Sequence, residues 1–183
     1  MIYPIVGYGD PVLRKKADSI TFDYPNIKQV IANMFETMYQ ANGVGLAAPQ
    51  VGLSIRLFII DPEPMDEDKL KGNKKVFINA QMLEEVGPKW AYNEGCLSIP
   101  GIREDVMRRE TITIKYLDEN FVEHTDTYAG KLARVIQHEY DHIDGILFID
   151  HLSPLKRSLL KGKLNDISRG KTNVDYRMRI PRK

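Results

Sequence analysis

His138-Glu139-Tyr140-Asp141-His142 lies within residues 130–143, where Leu132, Val135, Ile136 and Ile143 fall on one side of a helix. Gly145 follows, at a position where helix C-termini favour glycine. Positions 138 and 142 then share one face, a turn apart, and two imidazoles converge on one point. Glu139 projects beside them without taking ligand spacing. The flanks are apolar, with Val135 and Ile136 before and Ile143 and Ile146 after. Two histidines and a glutamate buried there unpaired are costly. A metal ion removes that cost.

Working outward, the spacing of Ile27, Val30, Ile31, Met34 and Met38 predicts a helix from about Pro25 to Asn42, with Gly43 as its stop. Gly43-Val44-Gly45-Leu46-Ala47-Ala48-Pro49-Gln50 is a shaped loop whose small side chains permit close backbone approach. Arg56–Ile60 reads as a strand ended by Asp61-Pro62, and residues 62–74 read as an exposed loop without chemistry. Lys75–Val86 gives one or two strands. Glu110–Leu117 and Phe121–Tyr128 form a hairpin around Asp118-Glu119-Asn120. Ser153-Pro154 starts a last helix, expected to run to about Asn165. Strands, helices and hairpin connections in this order indicate an α+β domain. No alternating βαβ pattern is present, and Gly43-x-Gly45 lacks the third glycine of a phosphate-cradling loop.

The 183 residues suit one domain. We expect residues 1–165 to be a single catalytic domain and residues 166–183 a basic C-terminal tail. Net charge is +1, but Leu155–Lys183 carries ten Lys/Arg against two Asp, a balance of +8 that leaves −7 for the rest. Such a tail can meet phosphate or an acidic surface; equally, it can be a solvated helix face with a loose terminus. Cys96 is the lone cysteine, so no intrachain disulfide exists and a reducing compartment is expected. The N-terminus lacks a secretory pattern, and no apolar run approaches the ~20 residues of a membrane span. Cytoplasmic residence is the expectation, with neither membrane nor DNA as a partner.

Two histidines and a carboxylate at this spacing suit metal-assisted hydrolysis. The ion lowers the pKa of bound water toward ~7, and the carboxylate takes its proton and later returns it to the leaving group. A catalytic site needs a third ligand. His151 lies nine residues past His142, and the six-residue spacing of a metal-peptidase histidine falls on Phe148. Asp144 and Asp150 lack a motif. Cys96, held compact beside Gly95, is the better candidate, although a lone cysteine is more often a small buried hydrophobe. His124 reads as a surface or strand residue and His151 as structural.

Three segments stand in order: Gly43-Val44-Gly45-Leu46-Ala47-Ala48-Pro49-Gln50, Glu94-Gly95-Cys96-Leu97-Ser98 and Gln137-His138-Glu139-Tyr140-Asp141-His142. Together they resemble the signature motifs of the peptide deformylases. Gly9-Asp10-Pro11-Val12-Leu13-Arg14, Arg103 and Leu152-Ser153-Pro154-Leu155 extend the resemblance. It implies β-sheets wrapped around the helix bearing His138, with a C-terminal helix. It implies removal of the formyl group from N-terminal formyl-methionine of nascent polypeptides, releasing formate. Cys96, His138 and His142 would hold one divalent metal, Fe2+ by expectation, with Zn2+, Ni2+ or Co2+ also accepted. Glu139 would be general base and acid, with Gln50 and the Leu97 N–H stabilising the oxyanion. Val44, Gly45, Glu94 and Arg103 would bind substrate. Arg134, one turn before His138, stands where an apolar wall is expected, and its head is expected to snorkel outward. The basic C-terminal region is open to contact with the ribosome.

Two rivals share parts of this pattern. A zincin-like peptidase would take a downstream Glu or His ligand and tolerate loss of Cys96. A structural metal site beside an RNA-binding tail would need a fourth protein ligand, and the sequence offers no second cysteine.

Overall fold

Leu57-Phe58-Ile59-Ile60 forms strand β3, and all four side chains are buried. An unbroken apolar strand needs cover on both faces. A computed structural model, which describes residues 1–181, shows what supplies it. Leu57 and Ile59 pack with Met34 and Met38 of helix α1 (Ile27–Gln40) on one face. Phe58 and Ile60 pack with Ala133 and Ile136 of helix α3 (Gly130–Ile143) on the other.

The strands β2 (Gly45–Ala47), β3, β4 (Lys75–Cys96), β5 (Ile99–Leu117) and β6 (Glu123–Ala129) form one antiparallel sheet in chain order. It curves around α3, which touches β2, β3, β5 and β6. A third apolar cluster joins Leu160, Leu164 and Ile167 of helix α4 (Pro154–Ser168) to Ile99, Ile102 and Val106 of β5. This is the expected α+β arrangement around the histidine-bearing helix, with a C-terminal helix capped by Ser153.

Several expectations change. Strands β4 and β5 run far beyond 75–86 and 110–117 as one long hairpin, broken by register shifts at four places. Bulges of this kind bend and twist a strand, which lets the hairpin wrap the helix. The stop of α1 differs too. Asn42 adopts the left-handed conformation, donating to Tyr39 O while Gly43 donates to Met38 O. That pair closes the helix end, so Gly43 is needed for space instead: a Cβ there would lie 2.9 Å from a methyl of Leu97. Residues 62–74 contain a short helix, α2 (Glu67–Leu70), that buries Leu70. Among the described residues no helix is long and apolar enough to cross a membrane.

The tail is not a loose terminus. Met178–Arg179 forms strand β7, which pairs in parallel with β1 (Ile5–Val6). Val174, Tyr176, Met178 and Ile180 are half-buried and alternate with exposed Asn173, Asp175, Arg177 and Arg179. That is the period-two signature of a half-covered strand, masked in the sequence by its charges. The tail's last residues, Arg182 and Lys183, lie outside the described residues.

Candidate active site

Three elements converge on one cleft of ≈ 640 Å³. Helix α3 brings His138, Glu139 and His142. Its end is fixed at left-handed Gly145, which donates to His142 O while its neighbours Asp144 and Ile146 donate to Asp141 O. Arg56 donates to Ile143 O and pairs with Asp144 at 2.6 Å, placing positive charge at the helix C-terminus. Strand β4 ends at Cys96 after a register shift at Gly95 and turns directly to Ile99. A 3-10 turn, Ala48–Val51, follows β2 and carries Gln50.

Cys96, His138 and His142 form a cluster whose ligand atoms all lie within 4.8 Å of one another. Cys96 Sγ stands 3.4 Å from His142 Nε2. His138 Nδ1 is 3.0 Å from Glu94 Oε2, which commits that nitrogen to the carboxylate and leaves Nε2 for the cluster. Burial pushes the Cys96 thiol up, but His142 and His138 beside it hold it at about 5. Burial disfavours charge on His138, yet its hydrogen bonds to Cys96 and Glu94 raise it well above the usual range. The site therefore draws positive charge to its centre. A thiolate and two imidazoles are the donor set of a divalent transition metal, and the cluster fits one ion.

Glu139 lies beside this cluster with Oε2 buried and without a hydrogen-bond partner among the described residues. Burial raises its carboxyl to about 7, against the pull of His138 and His142. Gly45 makes room for it: a Cβ there would sit 2.5 Å from Glu139 Oε1. Gln50 Oε1 accepts from the Ala47 N–H at 2.9 Å, which aims its Nε2 at Cys96 Sγ and Ser98 Oγ, 3.4 and 3.3 Å away. Asp61 N donates to Val44 O across β2 and β3. By alternation, Gly45 turns its N–H and C=O to the open sheet edge.

A model of the polypeptide deformylase family matches residues 2–158.

The chain belongs to the peptide deformylase family.

It is 59% identical to the peptide deformylase of Christiangramia forsetii, over 99% of this chain and 97% of that one. It is 58% identical to that of Flavobacterium johnsoniae, over 98% and 96%. Among solved structures, a peptide deformylase from Legionella pneumophila superposes with TM-score 0.81 at 39% identity, covering 93% of this chain and 98% of the other. The one from Thermotoga maritima gives 0.76 at 41%, covering 84% and 99%. The chain is an enzyme of this family, whose reaction removes the N-formyl group from nascent peptides.

Within the deformylase cleft, Val44, Gly45, Gln50, Cys96, Leu97, Arg103, His138 and Glu139 come together. His142 is enclosed behind them. Glu94, expected to bind substrate, also lines the cleft, with its carboxylate bonded to protein partners. Both oxygens are taken by Arg108 at 2.8 and 3.1 Å, Arg134 at 3.0 Å and His138. Burial opposes its charge, but His138 and Arg108 hold its carboxyl far below the usual range. Arg103 is tied to the Asn93 side chain and carbonyl at the rim.

Arg134 does not snorkel. Its head is enclosed, donating to Glu94, Val106 O and Trp90 O and lying 4.5 Å from the Trp90 ring centroid. A charged residue one turn before His138 was the available signal, and its partners lie far off in sequence. Asp141 and His151 extend the network, at 2.7 Å from one another and each against Arg108. Met65, from the loop read as inert, lines the cleft, as do Val174 and Tyr176 from the tail.

Proposed function

We propose that this deformylase is metal-dependent, with one divalent ion on Cys96, His138 and His142. The observation that carries this is the three-donor cluster, with an unpartnered carboxylate oxygen of Glu139 beside it in the same cleft. Such an ion, when bound, supplies the positive charge that polarises a carbonyl and acidifies water. Ferrous iron is the metal we propose, on the family resemblance; a soft thiolate with two imidazoles also suits zinc, nickel or cobalt.

The remaining work falls to the chain. The open edge at Gly45 receives the backbone of an extended formyl-methionyl peptide as an added strand. Glu139, with its carboxyl near neutrality, takes a proton from the attacking water and delivers it to the departing amine nitrogen. Gln50 Nε2 and the Leu97 N–H donate to the oxygen on which negative charge develops. Gln50 suits that task because its amide is pre-oriented by Ala47. Glu94 holds His138 rather than substrate, and Arg134 and Arg108 hold Glu94.

Protein purified without oxygen is expected to contain one metal ion per chain and to release formate from a formyl-Met peptide. Metal-loaded protein that releases none would sink this reading. Cytoplasmic residence, which keeps Cys96 reduced, belongs to it. So does ribosome contact through the exposed Lys156, Arg157, Lys161 and Lys163 of α4, tested by binding that weakens steeply with salt.

A further inference from the structure

The family model ends at residue 158, yet the chain continues past α4 and returns to the cleft. The returning segment, residues 169–181, is anchored first on the N-terminal strand. Ile5 N donates to Arg177 O at 2.8 Å and Gly7 N to Arg179 O at 2.9 Å. From there it touches both segments that carry the oxyanion donors. The phenol of Tyr176 donates to Leu97 O at 2.8 Å. The Arg179 guanidinium lies over Gly52, at the end of the turn bearing Gln50, where a Cβ would be only 2.5 Å from Nη1. Arg179 is itself held by Asp10 at 3.2 Å. The N-terminal strand completes the grip, because Tyr8 N donates to Ser98 O at 2.9 Å.

The turn Cys96-Leu97-Ser98-Ile99 thus has two successive carbonyls fixed by groups outside it. A hydrogen bond to its carbonyl restrains a peptide plane, and the two planes beside Ser98 are so restrained; the next plane, Cys96–Leu97, which carries the Leu97 N–H, is joined to them through the Leu97 Cα. An oxyanion donor acts through pre-set geometry, since a donor that must reorganise during the reaction contributes less.

The geometry points to residues 169–181 as a strap that holds the oxyanion turn, with Tyr176 a positioning residue that acts through Leu97. This rests on the reading of Leu97 as an oxyanion donor. The catalytic unit therefore extends beyond residue 165. Burial, with the nearby Cys96 and Asp175, pushes the Tyr176 phenol up to about 12, so it keeps its donor proton across the working range.

Tyr176→Phe removes the donor and keeps the ring as cleft wall. A contact realised only in the transition state lowers kcat and leaves ground-state binding alone. We expect kcat to fall about tenfold, below the ~10²–10³ for losing a donor outright. KM and the affinity for the deformylated Met-peptide product stay within about twofold. Amide hydrogen exchange of Leu97, Ser98 and Ile99 speeds up while α3 stays protected. Unchanged kcat in Tyr176→Phe, or a parallel loss of kcat and product affinity, would overturn the positioning role. Unchanged exchange in the turn would overturn the strap. Exchange needs no turnover, so it decides the strap even if the wild-type protein releases no formate, which would count only against the functional reading.

Discussion

Gly45→Ala is the substitution whose consequence the structure specifies most closely. The added Cβ would lie 2.5 Å from Glu139 Oε1 and 2.8 Å from both Cδ and Cγ. An ordinary contact begins at 3.4 Å, so the carboxylate must retreat by about 0.9 Å. The clash at Cγ means that a turn of the carboxylate alone does not relieve it. Glu139 is 4% exposed, so there is little open space to take up the movement. A misplacement of about 1 Å in a reacting group costs up to ~10²-fold, or about 2.7 kcal/mol of activation free energy. Overpacking lowers stability by a further ~1–3 kcal/mol. The ligand side chains do not touch Gly45 in this way, so metal content should stay at the wild-type value. The assay is formate release from a formyl-Met peptide, with metal measured on the same sample and a thermal midpoint to show folding. We expect kcat about a hundredfold down with full metal occupancy. A folded, metal-replete variant with kcat within about threefold of wild type would refute the assignment of Glu139 as the group that moves the proton.

Three further outcomes follow from named contacts. Glu94→Gln takes a carboxylate from His138 and leaves Arg108 and Arg134 short of their counter-charge; metal affinity should drop ~10–100-fold and stability by ~3–5 kcal/mol, read by metal titration and urea melts. The same variant should change acid stability. Glu94 is held far below the usual carboxylate range, so the unfolded chain takes up its proton first; wild-type stability is fully present above ~4 and declines as pH falls below that. Urea midpoints between pH 6 and 3 should fall less steeply in Glu94→Gln, and an unchanged slope would contradict the buried ion pair. Cys96→Ser should abolish tight metal binding and formate release together, whereas a zincin-like peptidase site would survive it.

The residues that were easy to read are those whose signal is local. The spacing of Leu132, Val135, Ile136 and Ile143 marks α3, and Gly145 marks its end, because both depend on neighbours within one or two turns. The Cys96 and Gln50 segments were legible through the family resemblance, and the close approach expected of the loop glycines is present at Gly43 and Gly45. Harder to read was the outer half of the β4–β5 hairpin. Residues 87–89 are all exposed, so no apolar alternation carries the strand past Val86, and Gly87-Pro88 mimics a turn. The enclosure of Arg134 and the ion pairs of Glu94 were hidden for a different reason: each charge is satisfied by residues brought from another element. Strand β7 pairs with residues more than 170 positions away, and its charges mask the alternation in the sequence.

The central claim is that Glu139 moves the proton in a deformylase site built on Cys96, His138 and His142. Its most direct test is formate release by metal-loaded wild-type protein and Glu139→Gln, measured side by side with metal content. We expect one ion per chain in both, formate from the wild type, and a loss of at least ~10²-fold in the variant. Equal rates from the two proteins at equal metal content would contradict it.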